Sequence, residues 1–259
     1  MAKTSFVSEK SVRLIGKPIA GSLVRKSKVP GFDQAALSSA HVLCIGAGGI
    51  VSHIAPTLVR KGVGRISLYD HDVVEVSNLS RQHFYEKDIG KNKALALAMN
   101  LYDECTAETS VEGYNMTLEQ AIEEDADLSC DVAICGVDNN PARVAATRHF
   151  RCLGIPVIFA AVSADADHGY VFVQGPEDPC LACVFPDMVN DDRFPCPGTP
   201  AVADILQAVG AMAVYAVDSL LMDRSRLWNY RTVRLSDGQM DSSVVAPSRS
   251  ECLMFAPPE

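Results

Sequence analysis

Three absences bound what this 259-residue sequence can be. It has no basic stripe, and its net charge of −9 argues against a nucleic-acid-binding surface. Residues 1–5 lack the apolar stretch that opens a signal peptide. The apolar run 201–221 is interrupted by Asp204, Gln207 and Asp218, which favours a buried amphipathic helix over a membrane span. We therefore expect a cytoplasmic protein that binds neither nucleic acid nor membrane.

The sequence also lacks a disulfide framework and a histidine cluster. Its nine cysteines are odd in number and scattered, so we expect reduced thiols that act as core residues, metal ligands or nucleophiles. Its six histidines are dispersed, and no spacing predicts a Ser–His–Asp arrangement. The composition, 48% hydrophobic and 21% charged, is that of an ordinary globular protein.

A strand–turn–helix–strand unit lies near the start of the chain. The apolar run 42–45 predicts a buried strand, and 65–69 predicts a second strand that ends at Asp70. Between them lie a predicted helix, 52–61, and a tight turn with three glycines: Gly46, Gly48 and Gly49. In this unit the turn and the helix N-terminus present N–H groups to phosphates. Because Val51 replaces the third glycine of G-x-G-x-x-G, the turn alone is a weak signal.

The rest of the chain continues the alternation of strands and helices. Further strands are predicted at 109–114, 131–135, 156–162, 170–174 and 228–235, and helices at 91–102, 118–124, 141–153 and 201–221. We predict an α/β fold with a doubly wound, mostly parallel, Rossmann-like sheet. We divide the chain into an N-terminal arm (1–35), a nucleotide-binding region (36–175), and a segment of the same domain (176–259) with a cysteine knuckle, a cysteine-bearing crossover loop, the long helix and further strands.

The most specific signal is the segment that follows the second strand. Asp70-His71-Asp72-Val73-Val74-Glu75-Val76-Ser77-Asn78-Leu79-Ser80-Arg81-Gln82 resembles the D-x-D-x-V-x-x-S-N-L-x-R-Q signature of the ubiquitin-activating-enzyme-like superfamily, whose bacterial members are of the ThiF, MoeB and HesA types. The resemblance covers roughly residues 36 to 255. It implies a homodimeric enzyme that uses ATP to adenylate the C-terminal glycine of a ubiquitin-like or sulfur-carrier protein.

The resemblance also implies roles for individual residues. Asp70 would bind the ribose hydroxyls, and Asp72 would bind nucleotide or orient its loop. Asn78 and Arg81 would contact the polyphosphate, and Gln82 would support the loop or bind nucleotide. Arg81 offers a planar fork that suits phosphate.

Two further motifs extend this implied site. Lys93 occupies the lysine of a G-x-x-K segment and would contact the ATP phosphates, whereas Lys91 is expected to be exposed. Asp138 opens a D-N-x-x-x-R pattern and would hold Mg²⁺, which prefers one or two carboxylates plus phosphate oxygens. Arg143 of the same pattern could be structural. In the arm, Arg13 or Arg25 could reach the partner subunit's phosphates, or the arm could simply be solvated.

The cysteines of the last segment raise two questions. Cys180 and Cys183 form a C-x-x-C pair and, with Cys252, supply three of the four ligands that a structural zinc needs, so zinc is left open. A redox role is disfavoured because the pair is not expected to open a helix after a strand. Cys196 falls where thioester-forming relatives carry their nucleophile, although it could be a zinc ligand or an inert thiol.

Several interpretations remain beside the adenylating enzyme. A thioester on Cys196 would imply a conjugating enzyme as partner, and adenylation alone would imply a sulfurtransferase. The acceptor could instead be a peptide or a small molecule, or the chain could be a non-catalytic supporting subunit. An NAD-dependent oxidoreductase is disfavoured by Val51 and by the signature after Asp70.

Overall fold

The protein, described here from a computed structural model, is placed over residues 4–190 and 201–246. The strands in this part are β1 Thr4–Val7, β2 Ser11–Ile15, β3 His41–Ile45, β4 Arg65–Tyr69, β5 Ser110–Tyr114, β6 Val132–Cys135, β7 Val157–Val162, β8 His168–Gln174, β9 Tyr230–Arg234 and β10 Met240–Ser243. The helices are α1 Gln34–Ser39, α2 Val51–Lys61, α3 Lys93–Glu104, α4 Leu118–Glu123, α5 Asn140–Cys152, α6 Leu181–Val184 and α7 Ala203–Leu221.

These strands form one sheet in the order β1-β2-β5-β4-β3-β6-β7-β8-β9-β10. The five central strands, from β5 to β7, are parallel, and the strands on both sides of them are antiparallel. In the parallel part, the chain adds β4 and β5 on one side of β3 and then β6 and β7 on its other side. The strand order therefore reverses between β3 and β6, as in a doubly wound sheet. The predicted α/β fold is confirmed, and ligands are expected where this reversal occurs.

Apolar cores cover both faces of the sheet. Helices α2, α3 and α7 contribute to one core, and α4, α5 and α6 contribute to the other. Residues 42–45 and 132–135 are wholly buried. Each segment is a continuous apolar run, because a parallel strand buried on both faces has no position for a solvated side chain. Helix α2 ends at Gly62, whose φ of 76° is left-handed and allows its N–H to cap the Leu58 carbonyl.

Helix α7 is long and apolar enough to span a membrane by length and composition alone. In the structure it packs on α2 and on strands β7 and β8, and 61% of its most apolar window is buried inside the protein. Its polar Asp218 forms an ion pair with Lys61 of α2. Helix α7 is thus placed as a core helix, as the interrupting polar residues predict.

The N-terminal segment differs from the arm expected there. Residues 4–15 form the hairpin β1–β2, and β2 pairs with β5 in the sheet. The alternation of β2 explains this placement, because Val12 and Leu14 are 2% and 3% exposed on one face of the strand. Within the predicted arm (1–35), residues 4–15 thus join the sheet as a hairpin, which the short alternation of β2 indicates only weakly.

Arg13 lies on the opposite face of β2, beside a buried acid. Its Nε lies 3.1 Å from Oε1 of Glu112, whose side chain is 1% exposed. Arg65 donates to the other carboxylate oxygen through Nη2 at 2.8 Å, and the hydroxyls of Ser67 and Tyr114 donate at 3.0 and 3.1 Å. Arg13 therefore serves its own sheet, whereas Arg25, the other candidate to reach a partner, is exposed.

Candidate active site

A cleft of about 600 Å³ opens at the carboxyl ends of β3, β4 and β6. This is the edge of the sheet where the strand order reverses. Parallel strands bring the residues that follow them to one edge, so the glycine turn, the segment after β4 and the segment after β6 meet here. Of the predicted site residues, the cleft is lined by Gly46, Gly48, Gly49, Asp70, Asp72, Gln82, Lys93 and Asp138.

The glycine turn leaves room for a ligand close to its backbone. Gly46 has a φ of 88°, a left-handed conformation that favours glycine, and a side chain there would approach Val137. A Cβ at Gly48 would meet no atom within 4 Å, because this residue faces the open cleft. A phosphate could therefore approach the backbone at Gly48, which fits the predicted role of the turn.

Asp70 is held from both sides by backbone N–H groups. Ala47 donates to its Oδ2 at 2.7 Å, and Asp72 donates to its Oδ1 at 2.8 Å. Burial raises the pKa of Asp70, although these N–H groups and the charge of Lys93 act in the opposite direction. A carboxylate has about four lone-pair sites, so each oxygen can still accept a ribose hydroxyl.

Lys93 lies at the start of α3, and its ammonium is mostly buried. Its Nζ lies 2.9 Å from Oδ2 of Asp72, and its side chain is 12% exposed. The partner carboxylate is 54% exposed, so the pair faces the cleft. Lys91, two residues earlier, is exposed and lies 3.6 Å from Asp88, as predicted. The geometry thus separates the two lysines of the segment.

Asp138 follows β6 and is exposed at the mouth of the cleft. Over the described ranges, no hydrogen bond or ion pair engages its carboxylate, which leaves both oxygens available to a cation. Arg143 braces this segment by donating to the Val137 carbonyl at 2.9 Å and to Asn140 Oδ1 at 3.0 Å. Arg143 therefore makes a structural contact, as its place in the pattern allows.

The carboxylates after β4 offer another place where ligand atoms converge. Asp70, His71 and Asp72 present ligand atoms within 4.8 Å of one another. However, both oxygens of Asp70 already accept N–H groups, and Asp72 pairs with Lys93. The free carboxylate of Asp138 is the better fit to Mg²⁺, which keeps few protein ligands and takes the rest from phosphate and water.

A smaller cleft of about 120 Å³ adjoins the first. The two share Gly49, Gln82 and Asp138, and the smaller one adds Arg81 and Arg143. Arg81 donates to the Ser77 carbonyl at 2.7 Å, which keeps its guanidinium near the loop. The Gln82 Oε1 is buried without a hydrogen-bond partner in the described part of the chain, at the junction of the two clefts.

Asn78 is the predicted nucleotide-binding residue that lines neither cleft. Its side chain is buried, and its Oδ1 accepts the N–H of Glu75 at 3.0 Å. This bond caps the helical turn 76–78, which carries the chain toward Arg81. The Oδ1 of Asn78 thus stabilises the loop, and the contact of this residue with the polyphosphate stays a prediction.

Cys180 and Cys183 lie around the short helix α6. Their Sγ atoms are 3.7 Å apart, and Cys180 is the N-terminal flanking residue of the helix that follows β8. The expectation that the pair opens no helix after a strand is therefore wrong. The separation far exceeds a disulfide bond but suits two thiolates on one zinc ion, for which tetrahedral geometry gives about 3.8 Å. Cys196 and Cys252 lie outside the described residues.

Two groups of residues at or beside the cleft are not predicted from the sequence. Thr117, Leu118 and Glu119 also line the cleft, since they follow β5 at the same edge of the sheet. Their position directly after the predicted strand 109–114 could have indicated that they lie at this edge. Asn92 was not singled out either, although it binds the backbone after β4 through its side chain. An asparagine before a helix predicts a cap, but its second set of contacts needs the folded chain.

Together, the doubly wound sheet and the glycine-lined cleft define a nucleotide-binding α/β protein. The sequence model of the ThiF family matches residues 22–254, so this chain belongs to the ThiF family. The predicted superfamily is thereby confirmed.

Individual relatives refine the comparison. A sulfur carrier protein adenylyltransferase of Thermus thermophilus is 34% identical over 199 residues, covering 73% of this chain and 72% of that protein. The SAMP-activating enzyme E1 of Haloferax volcanii is 30% identical over 192 residues, covering 73% of this chain and 70% of that one. The predicted enzyme class, an ATP-using adenylyltransferase, is confirmed.

Solved structures share the fold. The complex of E. coli MccB with AMPCPP and MccA superposes with a TM-score of 0.71, at 19% identity, and covers 88% of this chain and 72% of that one. PaaA superposes with a TM-score of 0.67 over 95% of this chain and 78% of that one, again at 19% identity. At this identity the likeness concerns architecture only.

Proposed function

We propose that this protein adenylates the C-terminal carboxylate of a ubiquitin-like or sulfur-carrier protein. The observation that carries the proposal is the convergence of Asp70, Lys93 and Asp138 on one glycine-lined cleft. The Thermus relative is named for a sulfur carrier and the Haloferax relative for SAMP, which supports an acceptor of this class. A non-catalytic subunit is disfavoured, because this chain has the residues that the family resemblance assigns to the nucleotide site: Asp70, Asn78, Arg81, Lys93 and Asp138.

The reaction follows from the arrangement of these groups. The acceptor's carboxylate oxygen forms a bond to the α-phosphorus of ATP as the bond from that phosphorus to the β-phosphate oxygen breaks, which releases pyrophosphate. Asp70 binds the ribose, the turn at Gly48 lies against the phosphates, and Lys93 and Arg81 neutralise the charge that develops on them. Asp138 would hold a Mg²⁺ ion, which would supply positive charge for the departing pyrophosphate.

The experiment is partner-dependent exchange of labelled pyrophosphate into ATP. The acceptor is the ubiquitin-like protein encoded nearest to this gene, and its control lacks the terminal glycine. Exchange that occurs with the intact acceptor but not with the control supports the proposal. Exchange without any acceptor protein, or with a free peptide or small carboxylic acid only, moves the assignment to another acceptor. Absence of exchange overturns the proposal, whether or not the protein binds ATP.

The fate of the adenylate is a further part of the proposal. Cys196 would attack the activated carbonyl, form a thioester and release AMP, which would suit a conjugating enzyme as the next partner. Intact mass with and without reductant tests this step. A reductant-labile adduct that Cys196→Ala abolishes supports it. Pyrophosphate release with no adduct favours transfer to a sulfurtransferase. We also propose that the protein is a cytoplasmic homodimer. Sedimentation of the purified chain would test its dimeric state.

A further inference from the structure

We propose that Asn92 is a positioning residue that fixes the distance between the ribose-binding carboxylate of Asp70 and the phosphate-binding ammonium of Lys93. The inference deepens the proposed function and rests on it. Asn92 is 8% exposed and lies immediately before α3. Its side chain does not line the cleft but contacts residues that do, so it would act through them.

The side chain of Asn92 makes two different kinds of contact. Its Oδ1 accepts the N–H of Leu95 at 3.0 Å, which is the ordinary bond of a helix N-cap. Its Nδ2 donates to the carbonyls of Asp70 at 2.8 Å and Asp72 at 3.1 Å, and to Asn115 Oδ1 at 2.9 Å. An N-cap needs only the oxygen, so the amide nitrogen does a second job.

That second job joins the two halves of the nucleotide site. The amide holds the loop after β4 at both ends of the Asp70–Asp72 segment, while the oxygen holds the first turn of α3. The backbone of Lys93 donates to the Asp72 carbonyl at 2.8 Å, and its Nζ meets the Asp72 carboxylate. Asp72 in turn donates its N–H to Asp70. The amide of Asn92 thus adds a side-chain link between the loop that carries the carboxylate and the helix that carries the ammonium.

Asn92→Ser separates the two contacts. Serine keeps an oxygen that can cap α3 but has no amide to donate to the loop, whereas alanine removes both. The carbonyl of Asp70 would lose this donor, the carbonyl of Asp72 would keep only the N–H of Lys93, and the loop would relax away from α3. Because small displacements of positioned groups cost about a hundredfold in rate, we expect kcat/KM for ATP to fall about tenfold or more.

A matched control loses a cap without touching the site. Asp33 caps α1 by accepting the N–H groups of Ala35 and Ala36, and it is exposed. Asp33→Ala is expected to lower the melting temperature and leave kcat/KM for ATP unchanged. Asn92→Ser is expected to show the reverse pattern, with a melting temperature close to that of the wild type. A merely structural asparagine would give both variants the same pattern.

The decisive readout is a double-mutant cycle with Lys93→Met. If Asn92 acts by placing Lys93 against Asp70, the two losses are less than additive, because the second substitution has little left to disturb. Fully additive losses, or an Asn92→Ser enzyme equal to the wild type, would overturn the inference.

Binding of ATP, measured by calorimetry without an acceptor, keeps this inference apart from the function. If the wild type binds ATP but exchanges no pyrophosphate, the proposed function fails, whereas about tenfold weaker binding by Asn92→Ser still supports the positioning role. A wild type that does not bind ATP overturns both.

Discussion

The N–H of Ala47 donates to Oδ2 of Asp70 at 2.7 Å, and this bond joins two parts of the sequence that are 23 residues apart. Ala47 belongs to the glycine turn after β3, and Asp70 directly follows β4. The glycine turn, proposed to bind phosphate, and the Asp70 carboxylate, proposed to bind the ribose, therefore position each other across neighbouring parallel strands. A substitution at Asp70 is expected to alter the turn as well as the ribose contact.

A change of nucleotide separates these two roles of Asp70. We expect Asp70→Asn to weaken ATP binding about tenfold or more, because hydrogen bonds to a charged acceptor contribute about 1.5–3 kcal/mol. The wild type should prefer ATP to 2′,3′-dideoxy-ATP, and the variant should lose most of that preference. Binding of both nucleotides by calorimetry checks this. Equal weakening of both nucleotides would show that Asp70 only supports the turn.

The two lysines of the 90–94 segment form a matched pair of substitutions. Lys93→Met should raise the KM for ATP about tenfold or more, since it removes a mostly buried ammonium from the phosphate end of the cleft. Lys91→Met removes an exposed charge near Asp88 and should leave the KM within about twofold. Steady-state exchange kinetics measure both. Similar effects from the two variants would remove Lys93 from its assigned role.

Glu112 should make stability depend on acidic pH. Burial alone would raise its pKa, but the hydrogen bonds and charge of Arg65, with Ser67 and Tyr114, hold it below the ordinary value of 4.5. An acid with a lowered pKa stabilises the fold above its unfolded pKa, and that stability is lost as the pH falls through the folded pKa. The wild type should therefore lose stability steadily below about pH 4.5.

Glu112→Gln should flatten that part of the pH dependence. At pH 7 the variant should be less stable by about 1–3 kcal/mol, a value kept low because Arg13 and Arg65 retain access to water. Chemical unfolding from pH 3 to pH 7 measures both effects. Parallel curves for the two proteins would contradict the assignment of this carboxylate.

Zinc binding, which the sequence leaves open, can be tested through metal content. The 3.7 Å separation of Cys180 and Cys183 predicts that the purified protein holds about one zinc per chain. Cys180→Ser with Cys183→Ser should lose that zinc and lower the melting temperature. Cys152→Ser, at an exposed thiol, is the matched control and should keep it. Equal zinc content in all three proteins would exclude the pair as ligands.

Particular residues show how far the sequence alone reaches. The parallel core was predictable because wholly buried strands such as 42–45 are continuous apolar runs between turn residues. Asp70 and Asp138 were predictable as site residues because parallel strands deliver the residues after them to a single edge. The family signature then added Lys93, whose position in the cleft agrees with its assigned role.

The rest depended on contacts that sequence spacing does not encode. Arg13 lies in a strand whose apolar and polar residues alternate only briefly, among basic residues that are typical of an exposed arm. Its partner Glu112 is distant in the sequence. Asn78 matches a phosphate-contacting position, but its side chain caps its own helical turn. The amide of Asn92 bridges residues that only the folded chain brings together. In each case the position of the side chain depends on a polar contact that forms only in the folded chain.

The central claim is that the cleft at the strand-order reversal carries out adenylation, with Asp138 as its cation ligand. The most direct measurement is acceptor-dependent pyrophosphate exchange by the wild type and by Asp138→Asn over a range of magnesium concentrations. Asp241→Asn, at an exposed acid on β10, is the matched control. We expect exchange by the wild type and the control, and at least a hundredfold loss for Asp138→Asn with its fold and metal-free ATP binding intact. Full exchange by Asp138→Asn would contradict the account.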